Sequence, residues 1–263
     1  MRANRLREIW SRGQPVVGGW CSIGNALTAE AMAGMGWDAL TIDTQHGMIG
    51  YAEMLAMLQA ISTTPVTPLV RVSWNQPGEI MRALDSGAYG IICPMINDPR
   101  ECAAFVAACR YPPLGFRSSG PTRAVLYAGP DYQAHANGEM LAIAMIETAQ
   151  GLANVEAIAA TPGLDGLYIG PSDLSLALGG PPGQDSSAPA LMAAFDRILA
   201  AGKAAGVKVC VHTASPAYAQ SMLTRGFHMV TVAGDLRFLM SGRKEMAEMR
   251  TWVEGGGASP GNP

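Results

Sequence analysis

The sequence predicts a (β/α)8 barrel, and three observations carry the prediction. The chain has 263 residues, a length that such a barrel fills as one domain. Eight short runs rich in Val, Ile and Leu are spaced along it, and longer segments of helical period separate them. That alternation is the pattern of βαβ units and a parallel sheet.

The runs, in order, are "VVGGW" at 16–20, "ALTID" at 39–43, "PLVRV" at 68–72, "GIICPM" at 90–95, "LAIAMIE" at 141–147, "GLYIG" at 166–170, "KVCVH" at 208–212 and "HMVTV" at 228–232. Each is short, apolar and bounded by turn residues, as a strand covered on both faces should be. Between them, "YAEMLAMLQAIS" and "APALMAAFDRILAAGKAAG" carry apolar residues on one helical face, and the second ends in a glycine suited to a helix C-terminus. Residues 111–138 break the rhythm, being too long and too rich in Gly and Pro for a simple link. By the strand count this segment starts on the bottom face of the barrel, where it serves equally as a subunit contact or a lid. We read residues 1–254 as one domain and 255–263, "GGGASPGNP", as a flexible tail with nothing to bury.

Composition narrows the partners. A formal net charge of -3 with 15% charged and 6% aromatic residues offers no basic face and little base stacking, so the reading is no nucleic acid and a small-molecule partner. No apolar run reaches the roughly 20 residues of a membrane span, and no apolar signal core follows "MRANRLREIW", so no membrane is expected. The five cysteines form no CxxC pair and suit reduced core thiols, which points to a cytoplasmic protein.

In this fold, reactive groups gather at the C-terminal ends of strands. The second run ends in "DTQHG" with Asp43 and His46, the third carries Arg71, the fifth ends in Glu147, the sixth leads into Asp173, and the seventh ends in His212. Taken singly each has a plain reading: Glu147 and Asp173 as helix caps, His46 as a hydrogen-bonded histidine, Arg71 as an ion pair, His212 as pocket lining. Together on one wet rim they read as chemistry. Glu147 and Asp173 supply two hard oxygen ligands for a divalent cation, Arg71 a planar cationic fork for a carboxylate or oxyanion, and His46 a base near neutrality. The only lysines, Lys203, Lys208 and Lys244, avoid the strands' C-terminal ends, which argues against an imine mechanism.

Taken in order, "VVGGWCSIGNALTAE", "DTQHG", "PLVRV", "LDSGAYGIICPM", "GFRSSGPTRA", "MIET", "GLYIGPSDLSLALG" and "VTVAGD" span nearly the whole chain, which resembles the metal-dependent class II pyruvate aldolases of the 4-hydroxy-2-oxoheptanedioate aldolase (HpcH/HpaI) family. The resemblance implies a homohexamer with the last helix exchanged between subunits. It implies Mg2+, Mn2+ or Co2+ on Glu147 and Asp173, a 2-oxo acid such as pyruvate chelating that cation, and an aldehyde as the second product. Arg71 would then stabilise the enolate, His46 paired with Asp85 would act as base, and the backbone around Ser172 would hold the pyruvate carboxylate. By the strand count Asp85 precedes the fourth strand, on the bottom face, so it would reach His46 only from a neighbouring subunit, or within its own if that strand boundary is misplaced. Three positions depart from the family pattern: Gln45 stands where many members carry Glu, Met145 where many carry Gln, and His212 where many are apolar. His212 thereby bears on which aldehyde is accepted.

The expected reaction is cleavage of a 4-hydroxy-2-oxo acid to pyruvate and an aldehyde, and the reverse addition. A lyase for citramalyl or malyl thioesters is the nearest rival, with only Arg117 and Arg123 available for the phosphates of coenzyme A. A catalytically silent barrel that binds a ligand is the rival of another class.

Overall fold

The computed structural model describes residues 1–255, so nearly all of the tail expected at 255–263 lies outside the described residues. Eight parallel strands close into a barrel in sequence order: β1 (Val16–Cys21), β2 (Ala39–Asp43), β3 (Thr67–Arg71), β4 (Gly90–Cys93), β5 (Leu141–Ile146), β6 (Gly166–Ile169), β7 (Lys208–Thr213) and β8 (Met229–Val232). Closure is made by β8 returning to β1, with Val16 opposite Met229 and Gly18 opposite Thr231. The strands coincide with the eight runs to within two residues at each end.

Helices cover the outside. Five of them begin on a proline in the first turn, at Pro77, Pro99, Pro171, Pro189 and Pro216, where the missing N–H has no helical partner to lose. The longest, Pro189–Ala205, stops at Gly206, whose φ of +72° is the left-handed conformation of a helix C-terminus. No helix among the described residues is long and apolar enough to cross a membrane.

Two apolar clusters divide the core. The larger lies between strands and helices. The smaller fills the barrel and includes Val16, Trp20, Leu69, Ile143, Met145, Tyr168, Cys210 and Met229. Its floor is a helix the sequence reading did not assign, Arg5–Ser11, which adds Leu6, Ile9 and Trp10 to that cluster and is capped by the Asn4 side chain. Because side chains alternate along a strand, the inward series continues two residues on from Leu69 to Arg71, from Met145 to Glu147, and from Cys210 to His212. The inner face thus delivers its polar residues to the C-terminal mouth.

The segment 111–138 is a correction. It contains two helices, Thr122–Ala128 and Tyr132–Glu139, and lies at the bottom of the barrel, tied to the chain's start by Arg2 N–H on Ala128 O (2.6 Å) and Asn4 N–H on Glu139 (2.6 Å). It therefore forms no lid over the mouth. Arg117 is 2% exposed and donates to Asp85 (2.7 Å) and to the Tyr132 hydroxyl (2.9 Å). Arg123 donates to the backbone carbonyls of Ser86 (2.5 Å) and Leu58 (3.1 Å), near the C-terminal ends of two helices. Both arginines are consumed internally, so the thioester reading loses the phosphate ligands proposed for it.

Candidate functional site

A cavity of about 680 Å³ opens at the C-terminal mouth, lined among others by Trp20, Asp43, His46, Arg71, the Gly170–Asp173 turn, His212, Asp235 and Arg237. Five of the seven residues nominated from sequence, His46, Arg71, Ser172, Asp173 and His212, therefore meet in one place, and Glu147 stands directly behind Gly170.

Arg71 ends β3 opposite Asp43 of β2. Its Nε donates to Asp43 Oδ1 (2.9 Å) and its Nη2 to Oδ2 (2.6 Å), a two-toothed pair with Arg71 only 8% exposed. The guanidinium carbon lies 4.8 Å from the Trp20 ring centre, and Trp20 donates its indole N–H to the same carboxylate (3.2 Å). Burial alone would raise the Asp43 acid; the Arg71 hydrogen bonds and charge, with the His46 amide and Trp20, overcome it and hold the carboxyl below its ordinary range. Asp43 is thus a fixed anion that locks the fork, while Nη1 makes no hydrogen bond among the described residues. His46 follows on the turn, its amide near Asp43 Oδ1 (3.3 Å) and its ring exposed.

Glu147 corrects the expectation of a wet rim, because it is 3% exposed. Its Oε1 accepts the Met95 amide at 2.8 Å. Met95 presents that amide from a left-handed conformation, φ 56°, which a non-glycine residue rarely adopts. The conformation is held by Asn97, whose side chain donates to Met95 O (2.8 Å) and accepts from Thr148 (2.5 Å). On the other side, a β-carbon at position 170 would fall 2.3 Å from Glu147 Oε2, so the glycine keeps that oxygen open toward the cavity. Asp173 sits in the first turn of the helix Pro171–Ala177, exposed to the same cavity. The Ser172 and Asp173 amides there have no backbone partner among the described residues.

These two carboxylates fit a hard divalent cation. Burial, and then the charge of Asp173, push the Glu147 acid up from 4.5 to about 7 against the Met95 N–H and the Arg71 charge. Such a like-charged pair in a partly dry place is stabilised by a cation between oxygens. Among the described residues no group of three or more His, Cys, Asp or Glu side chains comes together to hold a metal, so further ligands would be water and substrate.

A pH dependence follows. An acid whose folded value is raised stabilises the fold fully below its unfolded value, 4.5, and that contribution disappears as pH rises through about 7. A cation needs the ionised form, so protons compete with it below that pH. The gain in Tm on adding Mg2+ or Mn2+ to metal-free protein is therefore expected to be several degrees larger at pH 8 than at pH 5.5, and Glu147→Gln should remove the difference. Equal gains at both pH values in the unsubstituted protein would contradict this reading.

Asp85 is not brought to His46 within the chain. It is the last residue of the helix Pro77–Asp85, which runs back from the mouth, and its side chain is held by Arg117 at the opposite end of the barrel. The sequence reading missed Asp235 as a site residue. Its carboxylate accepts the Ser22, Ile23 and Leu236 amides (2.7 to 3.1 Å) and joins the loops after β1 and β8 where the barrel closes. The signal was present, since "VTVAGD" places an acid after a strand as "YIGPSD" does. Trp20, Gln184 and Arg237 also line the cavity and were not nominated.

Comparison with known proteins is consistent with this geometry. Residues 17–241 match the HpcH/HpaI aldolase/citrate lyase family. The chain is 39% identical over 243 residues to a hydroxypyruvate/pyruvate aldolase of Rhizorhabdus wittichii, covering 92% of this chain and 97% of that one. It is 36% identical over 249 residues to a 4-hydroxy-2-oxo-heptane-1,7-dioate aldolase of Salmonella dublin, 93% of each. An HpcH/HpaI aldolase/citrate lyase family protein from Burkholderia cenocepacia superposes with a TM-score of 0.86 at 36% identity, covering 94% of this chain and 99% of that one.

Proposed function

Because the chain belongs to the HpcH/HpaI aldolase/citrate lyase family, we propose that it is a carbon-carbon lyase performing reversible, divalent-cation-dependent aldol cleavage of 4-hydroxy-2-oxo acids to pyruvate, or a close 2-oxo acid, and an aldehyde. The observation that carries the reading is the convergence on one cavity of the Asp43-locked Arg71 fork, the exposed His46 ring and the Gly170–Asp173 turn in front of Glu147.

Glu147 and Asp173 hold the cation, which when bound supplies positive charge to the developing enolate. His46 takes the proton of the C4 hydroxyl. The C3–C4 bond breaks as the aldehyde carbonyl forms, and its electron pair moves through C3 and C2 onto the C2 oxygen. Arg71, with Nη1 uncommitted, donates to that oxygen, and the unpaired amides around Ser172 meet the carboxylate. The proton taken by His46 is returned to C3, which gives pyruvate and restores the base.

Asp85 acts in this scheme from a neighbouring subunit, supporting His46 across the interface of a homohexamer in which the last helix is exchanged. The exposed Leu236, Leu239, Met246, Met249 and Trp252 of the final two helices support such an assembly. The five unpaired, buried cysteines support a cytoplasmic setting. Among the described residues no lysine lines the cavity, which favours the cation over an imine.

The test is pyruvate release from 4-hydroxy-2-oxoheptanedioate in the presence of Mg2+, followed by coupled NADH oxidation. Release at kcat values of about 1 s⁻¹ or more is expected. Binding of the acid without release would instead support a silent barrel.

A further inference from the structure

His212 lies at the C-terminal end of β7 with Thr231 of β8 as its register partner. Its ring is fixed on two sides. The Trp20 ring meets it edge-on, with centres 4.8 Å apart and planes at 88°. Its Nδ1 lies 3.3 Å from the Tyr168 hydroxyl oxygen. That hydroxyl has one proton to donate, and Thr231 Oγ1 lies 2.7 Å away as its acceptor in the arrangement taken here. In that arrangement the hydroxyl offers Nδ1 only a lone pair, and Nδ1 carries the imidazole hydrogen, which is the tautomer the NMR measurement below tests. Burial, then the Arg71 charge, push the imidazolium down to about 4, and the ring is neutral at pH 7. A neutral imidazole protonated on Nδ1 has a bare acceptor at Nε2. Nε2 makes no hydrogen bond among the described residues and is not sealed from solvent, and His212 lines the cavity.

We propose that His212 Nε2 accepts a hydroxyl proton from the carbon chain of the aldehyde, so that the pocket selects hydroxylated aldehydes over their deoxy analogues. The inference rests on the aldolase reading above and names the acceptor class for it. A hydrocarbon side chain at this place would offer no acceptor. Here a deoxy aldehyde must cover Nε2 without pairing it, which in a partly wet pocket reduces kcat/KM about tenfold to a hundredfold.

The experiment compares aldol addition of pyruvate to 2-hydroxypropanal and to propanal, with Mg2+ present. The unsubstituted protein should prefer the hydroxylated aldehyde by at least about tenfold. His212→Leu should bring the ratio near one, and His212→Gln, which restores an acceptor oxygen, should recover part of the preference. In the unsubstituted protein, ¹⁵N NMR of His212 at pH 7 should show the Nδ1–H tautomer. A ratio near one in the unsubstituted protein, a ratio unchanged in His212→Leu, or an Nε2–H tautomer would each overturn the proposal, the first and the last independently of whether every variant folds. Exchange of the pyruvate methyl protons in D2O by the unsubstituted protein separates the two readings. Exchange without aldehyde preference sinks only the role of His212, whereas neither exchange nor addition sinks the aldolase itself.

Discussion

Replacing Arg71 by lysine is expected to lower kcat/KM for cleavage by about 10²–10³ while leaving the barrel folded. Two of the three guanidinium nitrogens are committed to Asp43, at 2.9 and 2.6 Å, and the guanidinium carbon lies over the Trp20 ring. That clamp aims the remaining nitrogen, Nη1. A lysine ammonium keeps the charge but is one point on a flexible stem. It can satisfy Asp43 or reach the enolate oxygen, and it cannot hold both positions at once. The loss should fall mainly on kcat, because the interaction is strongest as charge develops on the oxygen. Circular dichroism should be unchanged. A variant cleaving within about threefold of the unsubstituted rate would remove Arg71 from enolate stabilisation.

A still larger effect is expected from the carboxylates. Asp173→Asn and Glu147→Gln should each lower cation-dependent cleavage by about 10³ or more. They should differ in stability. Asp173 is exposed to the cavity, so its substitution should leave Tm almost unchanged. Glu147 is buried with its acid raised to about 7, so Glu147→Gln should raise the Tm of the metal-free protein at pH 8 by removing a poorly solvated charge. Glu147→Ala would instead empty a packed position and leave the Met95 amide unpaired, so the amide substitution is the cleaner probe. Cleavage surviving both substitutions would show that the cation, if used, is held elsewhere.

How much of this was legible in the sequence depends on the range of the interactions. The strands were legible because inward and outward faces are both covered, which forces short Val, Ile and Leu runs such as "GIICPM" and "LAIAMIE". Arg71, Glu147, Asp173 and His212 were legible because each lies at or just beyond the end of a run, and the fold places those ends together. The helix Arg5–Ser11 was missed because its few apolar residues mean little until Leu6, Ile9 and Trp10 close the barrel floor. The burial of Glu147 was missed because it arises from Met95 and Asn97, residues of another loop held in an uncommon backbone conformation. Segment 111–138 looked like a loop because its two helices are short and Gly- and Pro-flanked, and Arg117 is anchored by a carboxylate 32 positions away. Asp85 was placed correctly at the bottom of its own barrel by strand counting alone.

The central claim is that a cation, which Glu147 and Asp173 would hold, and no imine, would stabilise the enolate left by the broken bond. Its most direct test is one cleavage assay on protein stripped with EDTA, repeated after adding back Mg2+, Mn2+ or Co2+, with a parallel sample treated with pyruvate and borohydride and weighed by mass spectrometry. Held by two carboxylates and otherwise by water and substrate, the cation should exchange freely. Pyruvate formation should therefore vanish on chelation, return with the divalent ion, and leave a protein whose mass is unchanged by borohydride. A reduced pyruvate adduct on the protein, or full activity after thorough removal of divalent ions, would contradict the account.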